Sequence, residues 1–194
     1  ILEHRSEGLK DKTCLVSGAG NVAQYATKKL IANDAKVLTM SDSRGTAYCK
    51  NGFTSELLDK VIKIKSDGGS LSEMDDSAVE YLEGKKPWAI TADYAFPCAT
   101  QNEIELEDVK KLIGNNCKGV FEGANMPVVT EGIDLLQEKK ILYAPGKAAN
   151  AGGVAISAIE MSQNNVGLSW TRERVDTKLQ EIMKSIHDSC IEYG

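Results

Sequence analysis

The sequence predicts an α/β fold: a doubly wound parallel sheet with helices on both faces, formed as a single domain over residues 1–194. Three observations carry this reading. A short apolar run, Cys14-Leu15-Val16, stops at Ser17-Gly18-Ala19-Gly20 and gives way to a helical pattern in which Val22, Ala23, Ala26, Leu30 and Ile31 share one face. The spacing Gly18-x-Gly20-x-x-Ala23 fits the glycine turn of a Rossmann-like βαβ unit in its Ala-ending form, and Asp42 follows about twenty positions on, after a second apolar run. Further apolar runs then alternate with helical patterns, as in a parallel sheet with crossover helices.

The elements follow in order. Ile1-Leu2-Glu3-His4 reads as the tail of a helix, and Ser6-Glu7-Gly8 as a turn into strand one at 13–16. The helix after the glycine turn runs to about Ala32, and Asn33-Asp34 turns the chain into strand two, Lys36 to Met40. Gly45 to Phe53 reads as a small excursion with Lys50-Asn51-Gly52 as a tight turn. Thr54 is a good N-cap for a helix carrying Leu57, Leu58, Val61, Ile62 and Ile64, and residues 66–70 form a loop. A short helix is expected over Asp75 to Leu82, and Lys85-Lys86-Pro87-Trp88 breaks the pattern. Strand three lies around Asp93 to Phe96, followed by a helix with Leu106, Val109, Leu112 and Ile113 on one face. Strand four is Lys118 to Phe121. Thr130 is expected to cap a helix with Ile133, Leu135 and Leu136, and strand five is Lys140 to Tyr143. A small-residue helix then runs from about Ala149 to Gln163, and an amphipathic one from Thr171 to Tyr193. Right-handed crossovers and the glycine turn favour the strand order 3-2-1-4-5. No repeats, low-complexity stretches or linkers mark a second domain. The lack of an initiator Met and the bare helical ends suggest a piece of a larger protein.

Composition narrows the function classes. Hydrophobic content of 42% and charged content of 26% are those of a water-soluble globular protein. A net charge of -5 argues against a nucleic-acid partner, no apolar run approaches the roughly twenty residues of a membrane span, and the start does not read as a signal peptide. The five cysteines are scattered, without Cys-x-x-Cys spacing, so neither disulfides nor a metal site are expected, and a cytoplasmic location is the economical reading. His4 and His187 have no triad or ligand partners nearby in sequence and are read as structural.

The glycine turn carries the chemistry. Gly18 permits a tight bend, Gly20 lets the backbone approach a pyrophosphate, and the helix starting at Asn21 and Val22 offers unpaired N–H groups and partial positive charge. In such a sheet ligands bind beyond the carboxyl ends of the strands. Every parallel strand here ends in small polar residues: SGAGN, SDSRG, PCATQN, EGANMP and PGKAANAGG. Such residues also make good turns, but five aligned clusters beside a glycine turn favour a dinucleotide cleft. The amides of Asn102, Asn125 and Asn150 can satisfy a carboxamide or ribose, which need both donors and acceptors. The end of strand two leaves NAD and NADP open. Asp42 alone favours a free ribose 2′-OH, whereas Arg44 and Lys65 suit a 2′-phosphate.

These motifs closely resemble the coenzyme domain of the NADP-dependent, hexameric-type glutamate dehydrogenases. The resemblance rests on SGAGNVAQYA, SDSRGT, GFT, EGKKPW, PCATQNE, EGANMP and APGKAANAGGVA, continues through Ser157, Glu160-Met161 and Gln163-Asn164, and covers essentially the whole chain. It implies cofactor contacts at Gly18, Ala19, Gly20, Asn21, Val22, Asp42, Ser43, Lys65, Ala99, Thr100, Gln101, Ala124, Asn125 and Asn150, with Lys65 on the 2′-phosphate and Asp42 tolerated beside it; Ser17, at the head of the glycine turn, and Arg44, by its charge, complete the candidate cofactor-binding set. That moves the cofactor toward NADP. A second basic residue found in some members is replaced here by Gly68, and Arg44 can substitute. Ser157 matches the residue that bonds the distal carboxylate of glutamate. The resemblance implies interconversion of glutamate with 2-oxoglutarate and ammonia in a full-length homohexamer. The catalytic lysine and aspartate would precede Ile1, so no catalytic residue is expected in this chain and the chain alone should be inactive. Two rivals stay open: a stand-alone NAD(P)-binding module without catalysis, and an NAD-linked leucine- or phenylalanine-type dehydrogenase.

Overall fold

The computed structural model describes residue 2 and residues 7–193. The expected helix tail at 1–4 with His4, and Ser6 of the first turn, lie outside the described residues apart from Leu2. Seven strands form one sheet: β1 (Thr13–Val16), β2 (Lys36–Asp42), β3 (Gly45–Tyr48), β4 (Glu80–Glu83), β5 (Tyr94–Phe96), β6 (Gly119–Phe121) and β7 (Leu142–Ala144), in the order β4-β3-β2-β1-β5-β6-β7. β2, β1, β5, β6 and β7 run parallel, and β3 and β4 add an antiparallel edge.

Fold class and parallel core agree with the sequence, but the placement of one strand does not. The third expected strand, now β5, pairs with β1 rather than lying outside β2. The place beyond β2 is taken by the expected excursion, which is strand β3, and by the expected helix at 75–82, whose second half is strand β4. The reason is local. β2 and β3 are joined by a two-residue turn at Ser43-Arg44, so Asp42 pairs with Gly45 and the hairpin closes at once. Glu80-Tyr81-Leu82-Glu83 then finds free backbone partners along β3, and that ladder prevails over a weak helical pattern. Gly45 permits the close pairing, since a Cβ there would run into the Leu82 carbonyl.

Among the described residues seven helices accompany the sheet: α1 (Asn21–Ile31), α2 (Ser55–Ser66), α3 (Leu106–Gly114), α4 (Thr130–Glu138), α5 (Gly146–Ala149), α6 (Gly152–Val166) and α7 (Arg172–Tyr193). Thr54 caps α2 as expected, its hydroxyl accepting the Leu57 N–H at 3.2 Å. Thr130 is not a cap: Val129 holds that position and Thr130 opens α4.

Period-two alternation along the strands creates two cores. Cys14, Val16 and Val37 belong to one core, which Met40 joins because the register of β2 against β1 slips between Val37 and Thr39, and there they meet Ala23 and Leu30 of α1 and Leu57, Leu58 and Val61 of α2. Leu15, Leu38, Ala95 and Val120 point to the other, against Val109 and Leu112 of α3, Leu136 of α4, and Trp88, which a short 3₁₀ turn at Pro87–Ala89 buries. A sheet covered on both faces explains why its strands read as near-continuous apolar runs. α6 and α7 pack on each other instead, with Gly152 opposite Leu179 and Met183. They leave Val154, Met161, Val166 and Leu168 more than half exposed. Among the described residues no helix is long and apolar enough to cross a membrane.

Candidate active-site edge

Five parallel strands deliver five loops to one edge of the sheet, and β1, the middle strand of the seven, supplies the glycine turn. Gly18 takes φ 82°, and a Cβ there would stand 2.9 Å from the Cys98 carbonyl, so the turn needs glycine twice over. The turn is clamped to β2: the Gly18 N–H donates to Ser41 Oγ at 2.9 Å and the Ser41 N–H to the Gly18 carbonyl at 3.1 Å. Thr39 Oγ1 exchanges hydrogen bonds with the N–H and carbonyl of Val16 where the β1–β2 register slips.

Gly20 caps α1 with no side chain over the helix end, and a Cβ there would meet nothing within 4 Å. Asn21 and Val22, which open the helix, are both exposed and no side chain caps the helix end, as is needed if an anion is to approach its first-turn N–H groups.

Ser17 stands elsewhere than its motif suggested. It is 1% exposed, its hydroxyl accepts the Cys98 N–H at 2.9 Å, and it bonds the Glu103 carboxylate. It is a strut between the loops after β1 and β5. Glu103 in turn accepts the N–H groups of Ala99 at 2.9 Å and Thr100 at 3.3 Å, which shapes the exposed Ala99-Thr100-Gln101 turn. Burial pushes the Glu103 carboxyl above the usual range, and these donors offset only part of that. Cys98 lies beneath the same loop, and burial pushes its thiol up to about 12, leaving it unreactive at neutral pH.

At the end of β2 the carboxylate of Asp42 is already engaged. It accepts from the Leu71 N–H (2.8 Å), the Arg44 N–H (3.0 Å), Ser70 Oγ (3.1 Å) and the Tyr81 hydroxyl (3.3 Å), and Lys65 Nζ stands 3.9 Å away. Burial raises its pKa, but the Leu71, Arg44 and Ser70 hydrogen bonds outweigh that and hold the carboxyl below the usual range. Four donors use up the acceptor sites of a carboxylate. Ser43 and Arg44 sit exposed at the hairpin tip, and the Lys65 ammonium is anchored on the Gly69 carbonyl at 2.8 Å.

The loops after β5, β6 and β7 are tied together. The N–H groups of Gly123 and Ala124 both donate to the Pro97 carbonyl at 2.9 Å, and the Asn102 N–H donates to Met126 at 3.0 Å. Asn102 and Met126 both take positive φ, 55° and 46°. Asn tolerates that; exposed Met126 marks local strain. Asn150 Nδ2 reaches the Gly123 and Ala124 carbonyls and Asn125 Oδ1 at 3.3, 3.1 and 2.9 Å. Glu122, 3% exposed, accepts the Gly146 N–H at 2.6 Å and the Val128 N–H at 3.4 Å. Burial raises the Tyr143 phenol, and its bond to the Glu122 carboxylate adds to that. Ser157 stands apart from these loops, exposed on α6 with its hydroxyl bonded to Gly153 of the same helix at 3.3 Å.

The candidate residues thus include exposed loop positions together with buried Ser17 and Gly18 and half-buried Asp42 and Lys65, and the supports Ser41, Ser70, Tyr81, Glu103 and Glu122 were not among them. A trace existed for the glutamates. Each stands inside a motif already singled out, PCATQNE or EGANMP, and Glu122 is a charged residue directly ending an apolar strand.

Comparison with known proteins agrees with this architecture. The profile of the family described as Glutamate/Leucine/Phenylalanine/Valine dehydrogenase matches residues 1–194. The NADP-specific glutamate dehydrogenase of Salmonella typhimurium is 48% identical over 196 aligned positions, covering 100% of this chain and 44% of that protein. The NAD(P)-specific glutamate dehydrogenase of Xylanibacter ruminicola is 50% identical with the same coverage. The crystal structure of Plasmodium falciparum glutamate dehydrogenase superimposes with a TM-score of 0.93 at 47% identity, over 98% of this chain and 42% of that one. The chain thus spans less than half the length of these relatives. Matched along its whole length, the chain belongs to the Glutamate/Leucine/Phenylalanine/Valine dehydrogenase family.

Proposed function

We propose that this chain is the coenzyme-binding domain of an NADP-linked glutamate dehydrogenase. The observation that carries the reading is the saturated carboxylate of Asp42 beside exposed Ser43 and Arg44 and anchored Lys65. An NAD site needs a carboxylate free to accept the ribose 2′-OH. Here the carboxylate is spent on the protein itself, and the groups left facing solvent are a hydroxyl and a guanidinium, with a half-buried ammonium behind them. That set suits a 2′-phosphate.

The remaining contacts follow the strand order. Gly18, Gly20, Asn21 and Val22 receive the pyrophosphate at β1, with Ser17 holding the turn from beneath. The loops Ala99-Thr100-Gln101, Ala124-Asn125 and Asn150 take the nicotinamide half. β2 and β6 are three strand spacings apart, roughly 14 Å, which is on the scale of a dinucleotide laid across the edge. Bound NADP would supply hydride transfer at its nicotinamide ring. This chain's residues bind and orient it, and Ser157 contributes to glutamate or 2-oxoglutarate binding. In this reading the acid–base groups, ammonia handling and homohexamer contacts belong mainly to the part of the protein that the chain does not span, and the whole enzyme works in the cytoplasm.

Replacing Arg44 and Lys65 together by Ala tests the assignment. Titration calorimetry should show NADPH affinity falling by about tenfold or more while NADH affinity stays within about twofold. An unchanged NADPH affinity makes both residues bystanders and removes the basis for NADP.

A further inference from the structure

We infer that Glu122 is a positioning residue whose buried carboxylate fixes the loops after β6 and β7 as one cradle for the nicotinamide half of the dinucleotide. The inference rests on the reading under Proposed function.

Glu122 ends an apolar strand and is 3% exposed, yet among the described residues no lysine, arginine or histidine forms an ion pair with it. Its partners are neutral donors: the N–H of Gly146, the N–H of Val128 and the hydroxyl of Tyr143. A buried carboxylate supported only by neutral donors is a costly way to fill space, and an apolar residue would serve stability as well or better. What the carboxylate alone provides is acceptance on both oxygens at once. One oxygen takes Gly146, at the start of α5, and the other takes Val128, in the chain that follows β6. A glutamine presents one acceptor and one donor, so its NH₂ would face either the Gly146 or the Val128 N–H.

The geometry around this bridge is tight. A Cβ on Gly146 would stand 3.0 Å from the Ala124 carbonyl, 3.2 Å from Asn150 Nδ2 and 3.2 Å from Glu122 Oε2, so the two loops touch through a glycine. Asn150, four residues after Gly146, closes the other side through Gly123, Ala124 and Asn125. Among the proposed nicotinamide-side contacts, Ala124 and Asn125 are thus held by the Asn150 amide, while the Glu122 carboxylate holds Gly146, from which the chain leads to Asn150, against the chain that follows β6. Among the described residues nothing comparable links Glu122 to β2 or to the Arg44–Lys65 end, three strands away.

That separation makes the role testable with two probes on the 194-residue chain. Adenosine 2′,5′-bisphosphate reaches only the Arg44–Lys65 end and NADPH spans both ends. For Glu122→Gln, NADPH should bind about tenfold more weakly while adenosine 2′,5′-bisphosphate stays within about twofold. A purely structural loss would weaken both in parallel, and that result, or an unchanged NADPH affinity, overturns the inference. Should Glu122→Gln not fold, Tyr143→Phe removes one donor from the same carboxylate at a half-buried position. It should give the same split at about threefold, and no split counts against the inference. A wild-type chain that binds neither probe is a different failure: it overturns the functional reading itself, and this inference with it.

Discussion

Gly18 and Gly20 look alike in sequence and do opposite work. Gly18 is locked by a positive φ and by the Cys98 carbonyl pressed against it. Gly20 has ordinary φ and open space where a Cβ would go. Gly18→Ala should therefore cost about 1–3 kcal/mol of stability, read by thermal denaturation. Gly20→Ala should change stability by under about 1 kcal/mol and instead weaken NADPH, because its methyl enters the space the phosphates need. Equal loss of stability in the two variants would refute this division. The glycines, Asp42 and Arg44 were legible in the sequence because each sits next to the turn it serves. Ser17, Glu103 and Glu122 were not legible as supports, because their partners are remote or a loop away: the Ser17–Cys98 bond spans 81 positions. No local pattern announces a hydrogen bond that only the sheet order creates.

Among the elements, the strand ends opposite the proposed site are pinned by a charge. Asp93, just before β5, accepts the N–H and hydroxyl of Thr13 at 2.9 Å each and Lys118 Nζ at 2.7 Å, joining the starts of β1, β5 and β6. Burial raises its carboxyl, but Lys118 and Thr13 prevail and hold it below the usual range. A carboxylate with a depressed folded pKa adds stability that is present above its unfolded value, near 3.8, and lost as pH falls through the folded value. Asp93→Asn should therefore lower the melting temperature at pH 7 and reduce its slope below about pH 4. An unaltered acid limb would show that Asp93 is not among the groups setting it. Element type was readable wherever periodicity was long, as in α1, α2 and α3. It failed at β3 and β4, where four-residue strands form because a two-residue hairpin turn offers them partners, and where Val79 and Leu82 fit a helical spacing while Val79 and Tyr81 fit strand alternation.

Taken whole, the molecule is a double-faced sheet with its ligand edge on one side and a helical pair, α6 and α7, projecting apolar side chains such as Val154 and Met161 into solvent. The sheet was legible because both its faces are buried and its strands write themselves as apolar runs. Ser157 could be placed only by resemblance, since the described contacts leave it bonded within its own helix. The central claim is that the chain binds NADP(H) through a β2 terminus whose acidic residue is internally spent. Calorimetric titration of the 194-residue chain with NADPH and with NADH tests it most directly. NADPH should bind at least about tenfold more tightly, the scale of one charge-assisted phosphate contact. Equal affinities, or a preference for NADH, would contradict it.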